Sequence, residues 1–342
     1  MRDDDPLRGA VLGLGMIGRH HARILQTHPG LRLAGAVDPS GDRFGAVHDP
    51  ARVHATFSDL VAAAGTPDFA VVAVPTEEHL PAVRELAAAG VHVLVEKPLA
   101  ASAEESRELI AVVRDAGLHG AVGHVERCNP ALVELRRRVQ EEHQLGDVFL
   151  VATERVGPFP DRVRDVGVVK DLATHDLDLV RWLGGAPIER VAAQTQHRMG
   201  REHEDLVLVT GRLENERAFN SVVEWLSPTK VRRTRVLGER GMLVADTLTA
   251  DLTFYANAHV PTGWEAMQSL RGVAEGDMTR YALERREPLE LELEAFAALI
   301  RGRDGNGAPV VSLEEGLETV VVAEAVLASA ASGETVALEH VA

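Results

Sequence analysis

Three sets of residues in this chain have types and spacings that chemistry uses. In "DLATHDLDLVRW", residues 171 to 182, Asp171 and His175 stand four apart. Residues at i and i+4 share one face of a helix, so a carboxylate and an imidazole can enter one pocket together, an arrangement suited to acid–base work. The bland reading of the same residues is an Asp that caps a helix and a His exposed to water. In "VHVLVEKP", Lys97 lies between Glu96 and Pro98. A lone Lys is usually a solvated surface residue, but Pro98 fixes the backbone beside this one and an apolar strand anchors it from behind. In "GLGMIG", Gly13, Gly15 and Gly18 have the G-x-G-x-x-G spacing, with Met16 and Ile17 between them at the start of a predicted helix.

That glycine expression is weak alone and strong in context. It follows the strand "GAVL", opens the helix "MIGRHHARILQTH" and precedes Asp38 by twenty residues counted from Gly18. Gly13 permits a tight turn, Gly15 lets the backbone approach a pyrophosphate, Gly18 allows close helix–strand packing, and the helix N-terminus offers N–H groups to the anion. Asp38 at the end of the second strand accepts ribose hydroxyls and repels a 2′-phosphate, which favours NAD over NADP; Arg43 nearby softens that preference. His20 and His21 read as ordinary helix residues.

The elements that must position these groups follow from the pattern of apolar runs. From Arg8 to about His124, "AVLGLG", "LRLAGAVD", "FAVVAVP", "VHVLVEKP" and "LHGAVGH" alternate with amphipathic stretches. Continuous apolar strands alternating with helices predict a doubly wound parallel sheet covered on both faces. Ligands bind such a sheet beyond the carboxyl ends of its strands, so Pro75, Thr76 and His79 in "VPTEEH", with Glu96 and Lys97, fall at the mouth of the expected cofactor site. After a helix predicted over "VERCNPALVELRRRVQEE", the rhythm changes to longer strands, from "VFLVATERVG" to "GMLVADT", interrupted early by the 171–183 helix. This predicts an α+β domain with a large, mostly antiparallel open sheet. Two helical patterns, 290–302 and 313–331, close the chain. The expected division is a dinucleotide-binding domain over 1–124 and a substrate-binding and oligomerisation domain over 125–342, with the last helices able to pack back on the first.

Composition narrows the functional classes. The formal net charge of −16 over 342 residues argues against nucleic acid as a partner, because neutralising phosphates requires clustered Lys and Arg. The single cysteine, Cys128, excludes an intramolecular disulfide and a multi-cysteine metal site. The acidic N-terminus lacks the apolar core of a signal peptide and no apolar run spans a bilayer, so a cytosolic protein with no membrane partner is expected. Glu318 and Glu324 break the apolar stripe of the last helix. "HRMGREHED" brings His197 and His203 near acidic residues, but without a helical His pair or Cys cluster it reads as a loop and no metal is expected.

The fingerprint, the acid after the second strand, "EKP" after the fifth and "D-x-x-x-H-D" some seventy residues later together resemble the Gfo/Idh/MocA oxidoreductases over nearly the whole chain. The resemblance implies that Lys97, Asp171 and His175 surround a reacting carbinol facing the nicotinamide. His175 would then be the general base, Asp171 would orient its ring and stabilise the imidazolium, and Lys97 would hydrogen-bond the reacting oxygen.

"VGHVERCNPALVELRRR" and "RVGPFPDRVRDVGVVKDLATHDLDLVRWLGG" look more narrowly like the subgroup of UDP-N-acetylglucosamine 3-dehydrogenases. Members of that subgroup oxidise a sugar hydroxyl to a ketone, and they carry an aromatic residue where this chain has Cys128. Arg155, Arg162 and Arg164 near the catalytic helix suit a diphosphate, or else balance Asp161 and Asp165. Arg127 and Asn129 are candidates for sugar hydroxyls, Asn129 alternatively for a helix cap. Trp225 and Trp264 read as packing residues, and "VRRTR" around Arg232 and Arg233 as a solvated face or subunit contact. Two readings compete with a nucleotide-sugar dehydrogenase: an inositol or free-sugar dehydrogenase with the same residues, and a catalytically silent NAD-binding regulator. An open sheet with more strands than covering helices is expected to bury one face in a homodimer or homotetramer.

Overall fold

The computed structural model describes residues 5–160, 166–258, 275–303 and 309–338. The chain divides into two compact units, one of residues up to Cys128 with Glu287–Val321, the other of Asn129–Arg286 with Val322 onwards.

The first unit begins with β1 (Leu7–Leu12), α1 (Gly18–Thr27), β2 (Leu31–Val37), β3 (Val53–His54), α2 (Phe57–Ala64) and β4 (Phe69–Val72). It continues with α3 (His79–Ala88), β5 (His92–Glu96), α4 (Ala103–Asp115) and β6 (Gly120–Gly123). The six strands form one parallel sheet in the order β3-β2-β1-β4-β5-β6. Because successive strand residues point to opposite faces, Leu7, Val11, Leu31, Leu33, Phe69, Val71 and Leu94 enter one apolar cluster with Ile24 and Leu25 of α1. The intervening Ala10, Leu12, Val72, Val93 and Val95 are buried as well. That double burial is why these strands read as unbroken apolar runs. Thr56 and Ser102 cap α2 and α4 through their hydroxyls, each accepting the N–H of the acidic residue three positions on.

The second unit starts at α5 (Pro130–Gln140), β7 (Val148–Pro158) and α6 (Thr174–Gly184). The helix expected to run from Val125 is broken: a 3-10 turn covers Val125–Cys128 and Pro130 starts α5 anew. Proline lacks the N–H that a continuing helix would need and suits the first helical position.

There follow β8 (Ile188–Gln196), β9 (Leu206–Leu213), β10 (Ala218–Glu224), β11 (Leu226–Gly238), β12 (Gly241–Asp246), β13 (Asp251–Asn257) and β14 (Glu275–Tyr281). The chain then returns to the first unit through α7 (Pro288–Ile300), enters α8 (Leu313–Ser332) and ends on the short β15 (Val336–Ala337). Nine strands form the second sheet in the order β14-β13-β12-β11-β7-β10-β9-β8-β15, antiparallel except for the β7–β10 pair. One face carries Val151, Val191, Val209, Phe219, Val236 and Leu243 into a core with α5 and α6.

The returning helix α7 completes the first unit. Leu289, Leu293 and Phe296 join the cluster of β1 and α1, and the Phe296 ring meets Phe69 edge-on at 5.8 Å. Among the described residues no helix is long and apolar enough to cross a membrane.

Candidate active site

The fingerprint loop has the geometry its glycines require. Gly13 has φ +90°, and a Cβ there would meet the Ala73 carbonyl oxygen at 2.5 Å. A Cβ on Gly18 would collide with the Gly13 carbonyl, so α1 packs against the strand end at a distance only glycine allows. A Cβ on Gly15 would meet nothing within 4 Å, which leaves that side of the loop open to a ligand. Met16 is exposed and Ile17 is half-buried at the N-cap of α1.

Asp38 is fixed against this loop. Its Oδ2 accepts the Leu14 N–H at 2.9 Å and its Oδ1 accepts the Ser40 N–H at 2.8 Å. Each oxygen keeps a further acceptor site for a hydroxyl. Open backbone at Gly15, a helix N-terminus and an oriented carboxylate together fit a dinucleotide. Arg43 is exposed in the following loop.

Pro75 and Thr76 begin a 3-10 turn after β4. His79 differs from expectation. It is buried, with Nδ1 3.1 Å from the Leu99 carbonyl and Nε2 3.2 Å from that of Val74, and burial holds its pKa below the ordinary imidazole value. It braces two loops of the first unit, each ring nitrogen lying against a backbone carbonyl, to one of which the neutral ring donates. Lys97 is half-buried, and its backbone N–H donates to Glu96 Oε2 at 3.3 Å.

In the second unit Asp171 is not the cap of α6. That position is held by Ala173, and Asp171 lies in a π-helical turn, Val169–Ala173, that leads into the helix. Its side chain is buried, its N–H donates to the Gly167 carbonyl, and His175 follows half-buried in the first turn of α6. Wider turns of this kind are frequent at functional sites. Glu204 fastens the turn, because its Oε1 accepts the Val169 N–H at 2.9 Å.

The expected anion and sugar ligands are largely committed elsewhere. Arg155 on β7 is buried, and its Nε donates to Asp176 Oδ2 at 2.6 Å, which holds the guanidinium against α6. Arg127 is buried with its guanidinium on Glu315 at 2.8 Å. Glu315 is also half of the capping box of α8, exchanging backbone bonds with Ser312. Asn129 caps α5, Oδ1 accepting the Ala131 N–H while Nδ2 donates to the Thr247 carbonyl. Arg162 and Arg164, with Asp161, Asp165 and Trp264, lie outside the described residues. Trp225 packs edge-on against Phe159 at 5.4 Å, with Arg201 stacked on both rings. In the His197–His203 loop, the Asp205 carboxylate takes the N–H groups of Arg198 and Met199.

From the sequence alone Glu204 and Glu292 receive no role, His21 reads as an ordinary helix residue, and Asp176 enters only as the last position of D-x-x-x-H-D. His21 stands three residues after Gly18, on the helix face that packs on the sheet, and Glu292 lies four before Phe296 on the inward face of α7. Helical spacing from a known inward residue was the available signal.

The first unit is therefore a dinucleotide-binding α/β domain of the Rossmann type, joined to an α+β domain that carries an Asp–His pair. The chain belongs to the Gfo/Idh/MocA oxidoreductases. Its residues 7–124 match the family's NAD-binding Rossmann fold and residues 141–338 its C-terminal alpha/beta domain. It is 29% identical over 296 residues to UDP-N-acetylglucosamine 3-dehydrogenase of Acidithiobacillus ferrooxidans, covering 85% of this chain and 87% of that protein. A solved structure of that enzyme superposes with a TM-score of 0.80 at 26% identity, over 95% of this chain and 98% of that one. Inositol 2-dehydrogenase 2 of Saccharopolyspora erythraea is 29% identical over 339 residues, 96% of this chain and 94% of that protein. GenD2 from gentamicin A biosynthesis, solved in complex with NAD, has a TM-score of 0.77 at 25% identity over 99% of this chain and 98% of its own.

Proposed function

We propose that the protein oxidises a secondary alcohol of a sugar to a ketone, with NAD as hydride acceptor. When bound, the nicotinamide supplies the acceptor carbon for the hydride. Gly13 would shape the loop, its own N–H being donated to the Val37 carbonyl, Gly15, Met16 and Ile17 would offer backbone N–H groups to the pyrophosphate, and Gly18 would keep α1 close. Asp38 would take the ribose hydroxyls, and Pro75, Thr76 and Glu96 would border the cofactor. The fixed Asp38 carboxylate opposes a 2′-phosphate, which is why NAD is preferred to NADP. His175 removes the hydroxyl proton, Asp171 orients that imidazole, and Lys97 hydrogen-bonds the oxygen as negative charge grows on it.

The observation that carries this reading is the open, glycine-built loop with Asp38 hydrogen-bonded to Leu14, in a chain that also retains Lys97, Asp171 and His175. The leading substrate is UDP-N-acetylglucosamine or a related nucleotide sugar, oxidised at the 3-hydroxyl. Similarity over most of both chains to the Acidithiobacillus enzyme supports it. The second reading is an inositol or free-sugar dehydrogenase. The Arg155–Asp176 ion pair favours it, since it withdraws one of three arginines that a diphosphate would need. Purified protein with NAD and each of UDP-N-acetylglucosamine, myo-inositol and glucose distinguishes them by the absorbance of reduced nicotinamide. Growth with the nucleotide sugar alone supports the first reading, growth with inositol or glucose the second. Silence with all three favours an NAD-binding regulator.

A cytoplasmic homodimer or homotetramer completes the proposal. On the outer face of the nine-stranded sheet, Leu150, Leu237, Met242, Tyr255 and Met278 stand in one cross-strand row. Leu237, Tyr255 and Met278 are all exposed, and a row of this kind suits burial against a second copy.

A further inference from the structure

Glu96 turns its carboxylate into the first unit, where it meets two other buried titratable groups. His21 on α1 is fully buried, with Nε2 2.8 Å from Glu96 Oε1, and Glu292 on α7 is buried beside them. One nitrogen or oxygen from each of the three lies within 4.8 Å of the others. Among the described residues, His21 Nδ1 and Glu292 Oε2 have no hydrogen-bond partner. Glu292 also borders a cavity with room for about one water molecule, whose other walls include Leu94, Val122 and Phe296.

The charges in this cluster do not balance if both carboxylates are ionised. The other titratable neighbours are His79, which feels the Glu96 charge, His20 beside His21, Cys128, whose thiol is pushed up by burial and by Glu292, and Arg127, which is bonded to Glu315. Among the described residues, the cavity walls present no cation to Glu292. Two carboxylates this close in a dry setting cannot both ionise, so one proton must stay. Glu96 accepts two N–H groups, from His21 and from the Lys97 backbone, and those bonds stabilise its charge. Glu292 Oε2 has no such partner among the described residues, so the proton belongs on Glu292. Burial and the Glu96 charge both push the Glu292 pKa well above the ordinary carboxylate value.

We propose that Glu292 is a positioning residue that carries this proton, leaving Glu96 as the single carboxylate that holds the His21 ring and the Lys97 backbone in place. The positioning half rests on the reading of Lys97 given above; the proton half does not. A carboxyl with a raised pKa in the fold contributes stability that is fully present below its unfolded pKa. That contribution is lost progressively as pH rises toward the folded value, because the unfolded chain releases the proton first.

The test compares the full-length protein with Glu292→Gln, which mimics a protonated carboxyl, and Glu292→Leu. Denaturant unfolding is read first, at a series of pH values rising from the ordinary carboxylate range (about pH 4.3). The wild-type folding constant is expected to fall against that of Glu292→Gln by up to about tenfold per pH unit. In turnover, Glu292→Gln is expected to keep kcat within about threefold and to lose an alkaline limb of the pH profile, while Glu292→Leu loses about tenfold in kcat with KM nearly unchanged. Parallel pH slopes for wild type and Glu292→Gln would overturn the proton assignment. So would a stoichiometric divalent metal present in purified wild type and absent from Glu292→Gln. Unchanged kcat and pH profile in Glu292→Leu would overturn the positioning role. Silence of the wild type with every alcohol would overturn the Lys97 reading and the positioning role with it, while the unfolding slopes still decide the proton.

Discussion

Lys97 and His175 carry separable parts of the proposed reaction. A Lys97→Met side chain has nearly the same length and no charge, so the NAD loop should be untouched while the reacting oxygen loses its donor. The expected result is a kcat lower by roughly 100- to 1000-fold, with NAD affinity retained in a direct titration; loss of NAD binding would move Lys97 from chemistry to cofactor holding. His175→Ala removes the base, with an expected loss of roughly 100- to 10,000-fold and disappearance of the acid limb of kcat/KM. A proton-transfer role predicts both changes, whereas an exposed imidazole predicts neither. Asp171 needs no cap function to explain it, since Ala173 occupies that position and the carboxylate is buried in the turn before.

At the level of elements, two close approaches constrain how the site is built. Gly18 places α1 against the Gly13 carbonyl, and Gly18→Ala inserts a methyl group where backbone already lies. Overpacking of this kind costs about 1–3 kcal/mol, and because the displaced atoms belong to the nucleotide loop, the rise in Tm caused by NAD should shrink along with the Tm itself. The Arg155–Asp176 pair ties β7 to α6 directly beside His175. Both partners are buried, so Asp176→Ala takes this carboxylate from a buried guanidinium and should cost roughly 3–5 kcal/mol. The double variant Arg155→Met, Asp176→Leu should recover most of it. Urea midpoints at constant slope check both statements.

For the whole molecule, the row Leu150, Leu237, Met242, Tyr255 and Met278 is the feature that composition hides. With a formal net charge of −16, copies of the chain repel at long range, so an interface has to be gained from apolar burial at close range. Leu237→Glu puts a carboxylate within the row, between Met242 and Leu150. Light scattering is expected to report a dimer or tetramer for the wild type and a smaller species for this variant; a wild-type monomer would refute the assembly.

Much of this protein is written locally in its residues. Unbroken apolar runs separated by helical patterns define the parallel sheet, because strands buried on both faces leave no polar alternation, and the change to longer successive strands marks the mixed sheet of the second unit. The fingerprint and Asp38 are likewise legible, since a glycine turn, a helix start and a strand end recur at fixed separations along the chain. What tertiary structure alone decided is which polar groups are already spent. Arg155 and Asp176 are 21 residues apart, His21 and Glu96 are 75 apart, and Arg127 and Glu315 are 188 apart. Neither composition nor periodicity encodes such pairings, because burial of a charge selects its partner by proximity in the folded chain.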